Sequence, residues 1–299
     1  MIYVVGHTAI DHISRVHSLP PRNGSATIID RKIFFGGGAA NIAAGIARLG
    51  GAVTLVSAVG DDFAGSEYER WLDNLKVERQ FYIVPGNHTA TAFMFTDESG
   101  EQITFFEWGA SEVFRVSEPA AFPFVHMATA DPVFNVKVAE RAGFSSFDPG
   151  QDLHRYNADQ LDAIFSRISL LFANQHEVEG MCRILGKDKN ALIEKVPMAV
   201  FTRGAQGSTL YYEGGEEHIP AIPVQMNDPT GAGDAYRAGF LTTYVQGCPP
   251  SVCCRVGSVC ASFIVEVPGC QTNLPDWKQI RQRYRNSFGD NDDILQVRT

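Results

Sequence analysis

The 299-residue sequence is short of positive charge: 25 Lys and Arg stand against 34 Asp and Glu, a formal net charge of −9. Without a clustered basic stretch, an acidic chain is a poor match for nucleic acid or an anionic membrane surface. No apolar run approaches the length of a membrane span. The opening residues lack the basic start and cleavage site of an export signal, so a cytoplasmic protein is expected. Cys182, Cys248, Cys253, Cys254, Cys260 and Cys270 contain no Cys-x-x-Cys pair, which argues against zinc and for reduced thiols, several of them on one C-terminal helix. Two phosphate-binding devices are missing as well. Gly180 to Lys187 is one residue too long for a P-loop and runs into Asp188 where Ser or Thr is needed, and no G-x-G-x-x-G follows the first strand-like run. Repeats and low-complexity segments are absent.

What is present is a regular alternation. IYVVG, VTLVSAVG, FVHMATA, FSSFDPG, ISLLFAN and MAVFTRG are short apolar runs, each closed by Gly or a polar residue and mostly spaced by helical stretches. That pattern predicts a mostly parallel, doubly wound α/β sheet with helices on both faces. Helices are expected over 39–49, 63–75, 251–266 and 275–288, with Pro275 at a helix start. Two segments break the pattern. Residues 12–35 carry Pro20-Pro21, Asn23-Gly24 and two β-prone runs, and residues 88–108 read as a hairpin turning at Glu98-Ser99-Gly100. The tail, 289–299, is polar and expected to pack weakly.

The stretch of greatest chemical interest is DPTGAGDAYRAG, Asp228 to Gly239. Gly231-Ala232-Gly233 leaves bare N–H groups at a helix N-terminus, where the helix dipole favours an anion. Asp234 sits in that first turn, placed to take a proton from an attacking hydroxyl. The alternative is an ordinary helix start with a glycine turn. Gly36-Gly37-Gly38 precedes a helix bearing Asn41. It is either a loop with unusual dihedrals or a place where backbone approaches a hydroxylated ligand. Asn174 and Glu177 lie three apart at a helix start, which suits a hydrated Mg²⁺ or, equally, a capping box. Thr202, Arg203, Gly204 and Gly207 lie in a stretch joining two strand patterns, either a plain turn or a glycine-rich turn whose cation holds nucleotide phosphates.

Taken together, GGGAANIA at 36–43, NQHE at 174–177, TRGAQG at 202–207 and DPTGAGDAYRAGF at 228–240 resemble the ribokinase-like, or phosphofructokinase-B, family of sugar and nucleoside kinases. The resemblance covers almost the whole chain. Within the family, GHTAIDHI, ITFFEWGA, FDPGQDL and GCQTNLP are similar to the archaeal broad-specificity nucleoside kinases. Pro229 departs from the Thr common at that place.

The resemblance implies an α/β core of 1–11, 36–87 and 109–299 with a small β lid from 12–35 and 88–108, and a homodimer formed through the lid. It also implies ATP-dependent, Mg²⁺-dependent phosphorylation of a nucleoside 5′-hydroxyl (inosine, guanosine, cytidine or adenosine). Asp234 would be the base, with Gly231, Ala232 and Gly233 as the anion site. Asp11, Gly37, Gly38 and Asn41 would hold the ribose. Asn174, Thr202, Arg203, Gly204 and Gly207 would lie along ATP. Asn174 and Glu177 would position Mg²⁺ through water, and Asp228 would lie at a K⁺ site. A sugar kinase of the same family is the alternative; a regulatory nucleotide-binding protein without catalysis is a third reading. The lid is rich in rings, Phe34, Phe35, Phe105, Phe106 and Trp108, with Phe106 and Trp108 on one face and Phe105 on the other. It is therefore expected to hold the base on one face and a second subunit's lid on the other; the alternative is that the rings only pack the lid against itself.

Overall fold

The computed structural model describes residues 1–289. The tail beyond them lies outside the described residues. A nine-stranded sheet forms the body. Its strands are β1 (Ile2–Val5), β4 (Val53–Val59), β5 (Glu78–Ile83), β8 (Phe122–Met127), β9 (Ala142–Phe147), β10 (Leu170–Asn174), β11 (Met198–Thr202), β12 (Ser208–Tyr212) and β13 (Gly215–Ile219). Their order is β13-β12-β11-β10-β9-β8-β1-β4-β5, and only the β11–β12 and β12–β13 pairings are antiparallel. β4 is buried at every position. Its alternate residues feed two cores: Val56 and Ala58 face one side with Phe134 and Met181, and Leu55 and Val59 the other with Ile42 and Phe240. Burial on both faces is what the uninterrupted apolar runs encode.

The helices are α1 (Gly38–Arg48), α2 (Glu67–Asn74), α3 (Pro132–Arg141), α4 (Ala158–Phe165), α5 (Gln175–Leu185), α6 (Lys189–Ile193), α7 (Ala232–Tyr244), α8 (Pro250–Ile264) and α9 (Trp277–Phe288). Two helix starts differ from the sequence expectation. α2 begins after Ser66, whose side chain accepts from Glu69 N, because Gly65 at φ 76 stops the helical path before it. α9 begins after Asp276, which forms a capping box with Gln279, so Pro275 lies outside the helix. No helix among the described residues is long and apolar enough to cross a membrane. The cysteines form no disulfide, and Cys253, Cys254 and Cys260 lie on α8.

A separate four-stranded sheet, ordered β3-β2-β6-β7, is built from β2 (Ala9–Val16), β3 (Ile28–Gly36), β6 (Ala90–Thr96) and β7 (Gln102–Glu107). β2 pairs antiparallel with β3 and parallel with β6, and β6–β7 is a hairpin. This lid sheet starts at Ala9, so Asp11 belongs to it. Ile33, His12, Phe93 and Phe105 lie in one cross-strand row, and Phe34, Asp11, Ala92 and Phe106 in the next, on the opposite face.

Candidate active site

β1 is flanked by β4 on one side and β8 on the other, so the chain order switches there, and a crevice opens beyond the strand ends. The polar residues that end the strands gather at this edge: His7, Asp131, Asp148, Asn174 and Thr202. Two helices bring the remaining groups. α1 and α7 cross closely at Gly45, where a Cβ would stand 2.6 Å from that of Ala238. One turn earlier on each helix, Asn41 faces Asp234, and Asn41 Nδ2 donates to Asp234 Oδ2 at 2.9 Å. The triple glycine is needed here. Gly37 has φ 91, and a Cβ on it would meet His7 O at 2.5 Å.

Asp234 sits in the first turn of α7, behind Gly231, whose φ of 81 makes a left-handed cap. The helix start therefore aims N–H groups into the crevice. Ala232 departs from the expected pattern: its N–H turns back to Pro229 O at 3.3 Å. Asp228 accepts from Thr230 N at 2.9 Å and Gly269 N at 3.4 Å, so its carboxylate organises the turn that leads into the helix.

Arg237, one turn beyond Asp234, was not singled out from the sequence, yet it is the hub of the charges. It is buried, with Nε 2.8 Å from Asp148 Oδ2, NH1 3.6 Å from Asp234 Oδ1 and NH2 4.0 Å from Glu177 Oε2. One cation among three carboxylates cannot satisfy all of them. Burial would raise the Asp148 carboxyl, but Arg237 and His126 outweigh it and hold the group below its usual range. Burial pushes Asp234 up to about 6 against the pull of Arg237 and the Asn41 hydrogen bond. Burial pushes Glu177 up to about 7, again against Arg237. Across the crevice Asp11 is pushed up to about 7 by burial and by Asp234 and Asp228.

Asn174 and Glu177 form the capping box in full: Asn174 Oδ1 accepts from Glu177 N at 2.9 Å, and Glu177 Oε2 accepts from Asn174 N at 2.8 Å. Asn174 is the register partner of Thr202, which joins this helix start to the Thr202–Gly207 turn. Gly207, at φ 84, packs against Ile219 O. Arg203 is exposed, and its guanidinium reaches Thr209 Oγ1 at 3.2 Å. Two cavities of about 520 Å³ each flank α5; Thr202, Arg203, Lys189 and Tyr211 help line one, and Asn174, Glu177, Gly150 and Tyr156 the other.

The aromatic residues divide between the faces as expected, but Trp108 is not open to a base. Phe106 faces inward, 4.9 Å from the ring of His7, and His7 Nε2 lies 2.9 Å from Asp152 Oδ2. Trp108, 9% exposed, is covered by the Arg155 guanidinium at 3.6 Å and by the edge of His7 at 4.6 Å, so it is a packed ring and not an open stacking platform. Phe105 faces away from the crevice and is 62% exposed.

The lidded, doubly wound sheet and the carboxylate at a glycine-capped helix start define a small-molecule kinase, a phosphotransferase acting on an alcohol group. A model of the pfkB family of carbohydrate kinases matches residues 1–277, and the chain belongs to that family. It is 43% identical to a nucleoside kinase of Methanocaldococcus jannaschii over 289 residues, 94% of this chain and 96% of the relative. The crystal structure of the M. jannaschii nucleoside kinase superposes with a TM-score of 0.90 at 42% identity, covering 95% of this chain and 98% of that one. A Burkholderia thailandensis nucleoside kinase in complex with inosine superposes with a TM-score of 0.88 at 25% identity, covering 97% and 100%.

Proposed function

We propose that this chain is a cytoplasmic ATP-dependent nucleoside kinase that phosphorylates the 5′-hydroxyl of ribonucleosides. The observation that carries the chemistry is Asp234, held by Asn41 and Arg237 beside the bare N-terminus of α7. The observation that carries the substrate class is the likeness to nucleoside kinases over nearly the whole chain. The ribose lies between Asp11, Gly37, Gly38 and Asn41. Asp11 and Phe106 share one lid row two strands apart, a span of about 10 Å that matches a nucleoside. The base stacks on Phe106 at that end.

The hydroxyl oxygen attacks the γ-phosphorus of ATP. Its proton passes to Asp234, the new O–P bond forms, the bond to the bridging oxygen breaks, and ADP leaves. The N–H groups of Gly231 and Gly233, and Ala232 once its long turn bond gives way, hold charge on the transferring phosphoryl group, which is the main demand of this reaction. Thr202, Arg203, Gly204 and Gly207 lie along the phosphates of ATP. The excess of carboxylates over cations around Arg237 fits a hydrated divalent ion, and no cluster of three metal-ligating side chains occurs among the described residues. Mg²⁺ would therefore be held through waters by Asn174 and Glu177 and by the phosphates, whose charge it would neutralise. A potassium titration tests whether the Asp228 turn also serves a monovalent cation.

The outer face of the lid supports a homodimer: Ile33 and Phe105, in one row, are 57% and 62% exposed. A coupled ADP-release assay with inosine, guanosine, cytidine, adenosine, ribose and fructose tests the function. Turnover of nucleosides with little of free sugars is expected. Preference for a sugar would make this a sugar kinase of the same family.

A further inference from the structure

Behind Asn41 stands a line of hydrogen bonds that crosses four segments of the chain. Trp71 Nε1, on α2, donates to Gln271 Oε1 at 2.8 Å. Gln271 Nε2 donates to Asn41 Oδ1 at 2.9 Å and to Tyr68 OH at 2.7 Å. Tyr68 OH donates onward to Gly36 O at 2.8 Å. Asn41 Nδ2 then donates to Asp234 Oδ2 at 2.9 Å. Gln271 and Asn41 are each only 5% exposed, so neither amide can turn to water.

The direction of this line is fixed from both ends. An indole N–H can only donate, so Gln271 must present its oxygen to Trp71. An ionised carboxylate can only accept, so Asn41 must present its NH₂ to Asp234. The two requirements agree, and the shared Gln271 NH₂ between them satisfies both. Reversing the Asn41 amide would set its oxygen against a carboxylate oxygen.

We infer that Gln271, oriented by Trp71, is a positioning residue for phosphoryl transfer: it fixes the direction of the Asn41 amide and so aims and holds the Asp234 carboxylate. This rests on Asp234 being the base. The other groups that face Asp234 are Arg237 from α7, Asp148 from the end of β9, Asp11 from β2, Glu177 from α5, Tyr68 from α2, and Cys270 beside Gln271. Neither substitution below removes any of them.

Gln271→Met keeps the length of the side chain and removes both donors. Trp71→Phe leaves Gln271 in place but frees its amide to turn. The measurement is the pH dependence of kcat for nucleoside phosphorylation, with thermal unfolding recorded alongside. A donor to a carboxylate favours its charged form, so losing it raises the carboxyl pKa. The acid limb of the Gln271→Met profile is expected to move to higher pH by roughly one unit. That of Trp71→Phe is expected to move in the same direction by less. Profiles that superimpose on the wild type, with or without a lower Tm, overturn the inference and leave Gln271 a packing residue. Asp234→Asn separates the two claims. If it is inactive while the profiles superimpose, only the relay fails; if it is active, the base assignment fails and the relay with it.

Discussion

The two sheets are made from similar β-branched and aromatic residues and end with opposite surfaces. The central strands of the large sheet are covered on both faces, as at β4, and beyond their ends Arg237 collects Asp148, Asp234 and Glu177. The lid sheet turns Asp11 and Phe106 toward the crevice and leaves Ile33 and Phe105 on the outside. A covered sheet supplies a dry, rigid ledge at whose edge Arg237 and its carboxylates are buried together. A half-covered sheet supplies apolar surface that still needs partners, a base on one side and a second lid on the other. Changes on the ledge should therefore alter chemistry and stability, and changes on the outer lid should alter assembly alone.

The largest effect is expected from Asp234→Asn, with kcat falling about 10²–10⁴-fold while the fold persists, since positioned general-base assistance contributes that much. Steady-state assays with circular dichroism check this. Next comes Arg237→Leu. It strands three carboxylates around a lost cation and is expected to cost about 3–5 kcal/mol in urea unfolding. A loss below about 1 kcal/mol would mean the cluster is wetter than its burial implies.

Asp11→Asn should be smaller and of opposite sign. With its folded-state pKa raised to about 7 from 3.8, Asp11 favours the fold only at low pH. That contribution is lost as pH rises from about 4 through 7. The variant should therefore exceed the wild type in stability at pH 8, by on the order of 1–4 kcal/mol. The gap should close toward pH 4, and KM for nucleosides should rise at the same time. Tm against pH, with and without substitution, decides it. On the outer lid, Phe105→Lys with Ile33→Lys should turn a dimer into a monomer in sedimentation with little change in kcat, and a large fall in kcat would show that the outer face serves the site. The smallest effect is expected from Glu177→Gln, a few-fold rise in the Mg²⁺ needed for half-maximal rate, because water-mediated contacts to a hydrated ion are individually weak. An unchanged titration would leave Glu177 a capping residue.

The sheet and the Asp234 turn were legible because their signals are local: apolar runs ended by polar residues, and glycines next to a carboxylate. Arg237 was not, because its meaning depends on Asp148 and Glu177, which reach it from β9 and α5. Gln271 is silent for the same reason. Asn174 and Glu177 carried two readings in sequence, and the capping box is formed in full. Trp108 looked like a stacking ring by its place in an alternating run, but Arg155 and His7, distant in sequence, cover it. β2 and the edge strand β5, ERQFYI, passed without notice because their half-buried faces mix charge with apolar residues.

The most direct test of the account is the pH dependence of kcat at saturating nucleoside and Mg-ATP, where the ribose contact of Asp11 is already made. Asp234, held at about 6 by burial against Arg237 and Asn41, must be ionised to take the proton, so the rate should fall on acidification through that value. The same limb should be missing from the residual activity of Asp234→Asn. A wild-type rate that stays level down to about pH 4.5, or a limb that survives in Asp234→Asn, would contradict the assignment of Asp234 as the base.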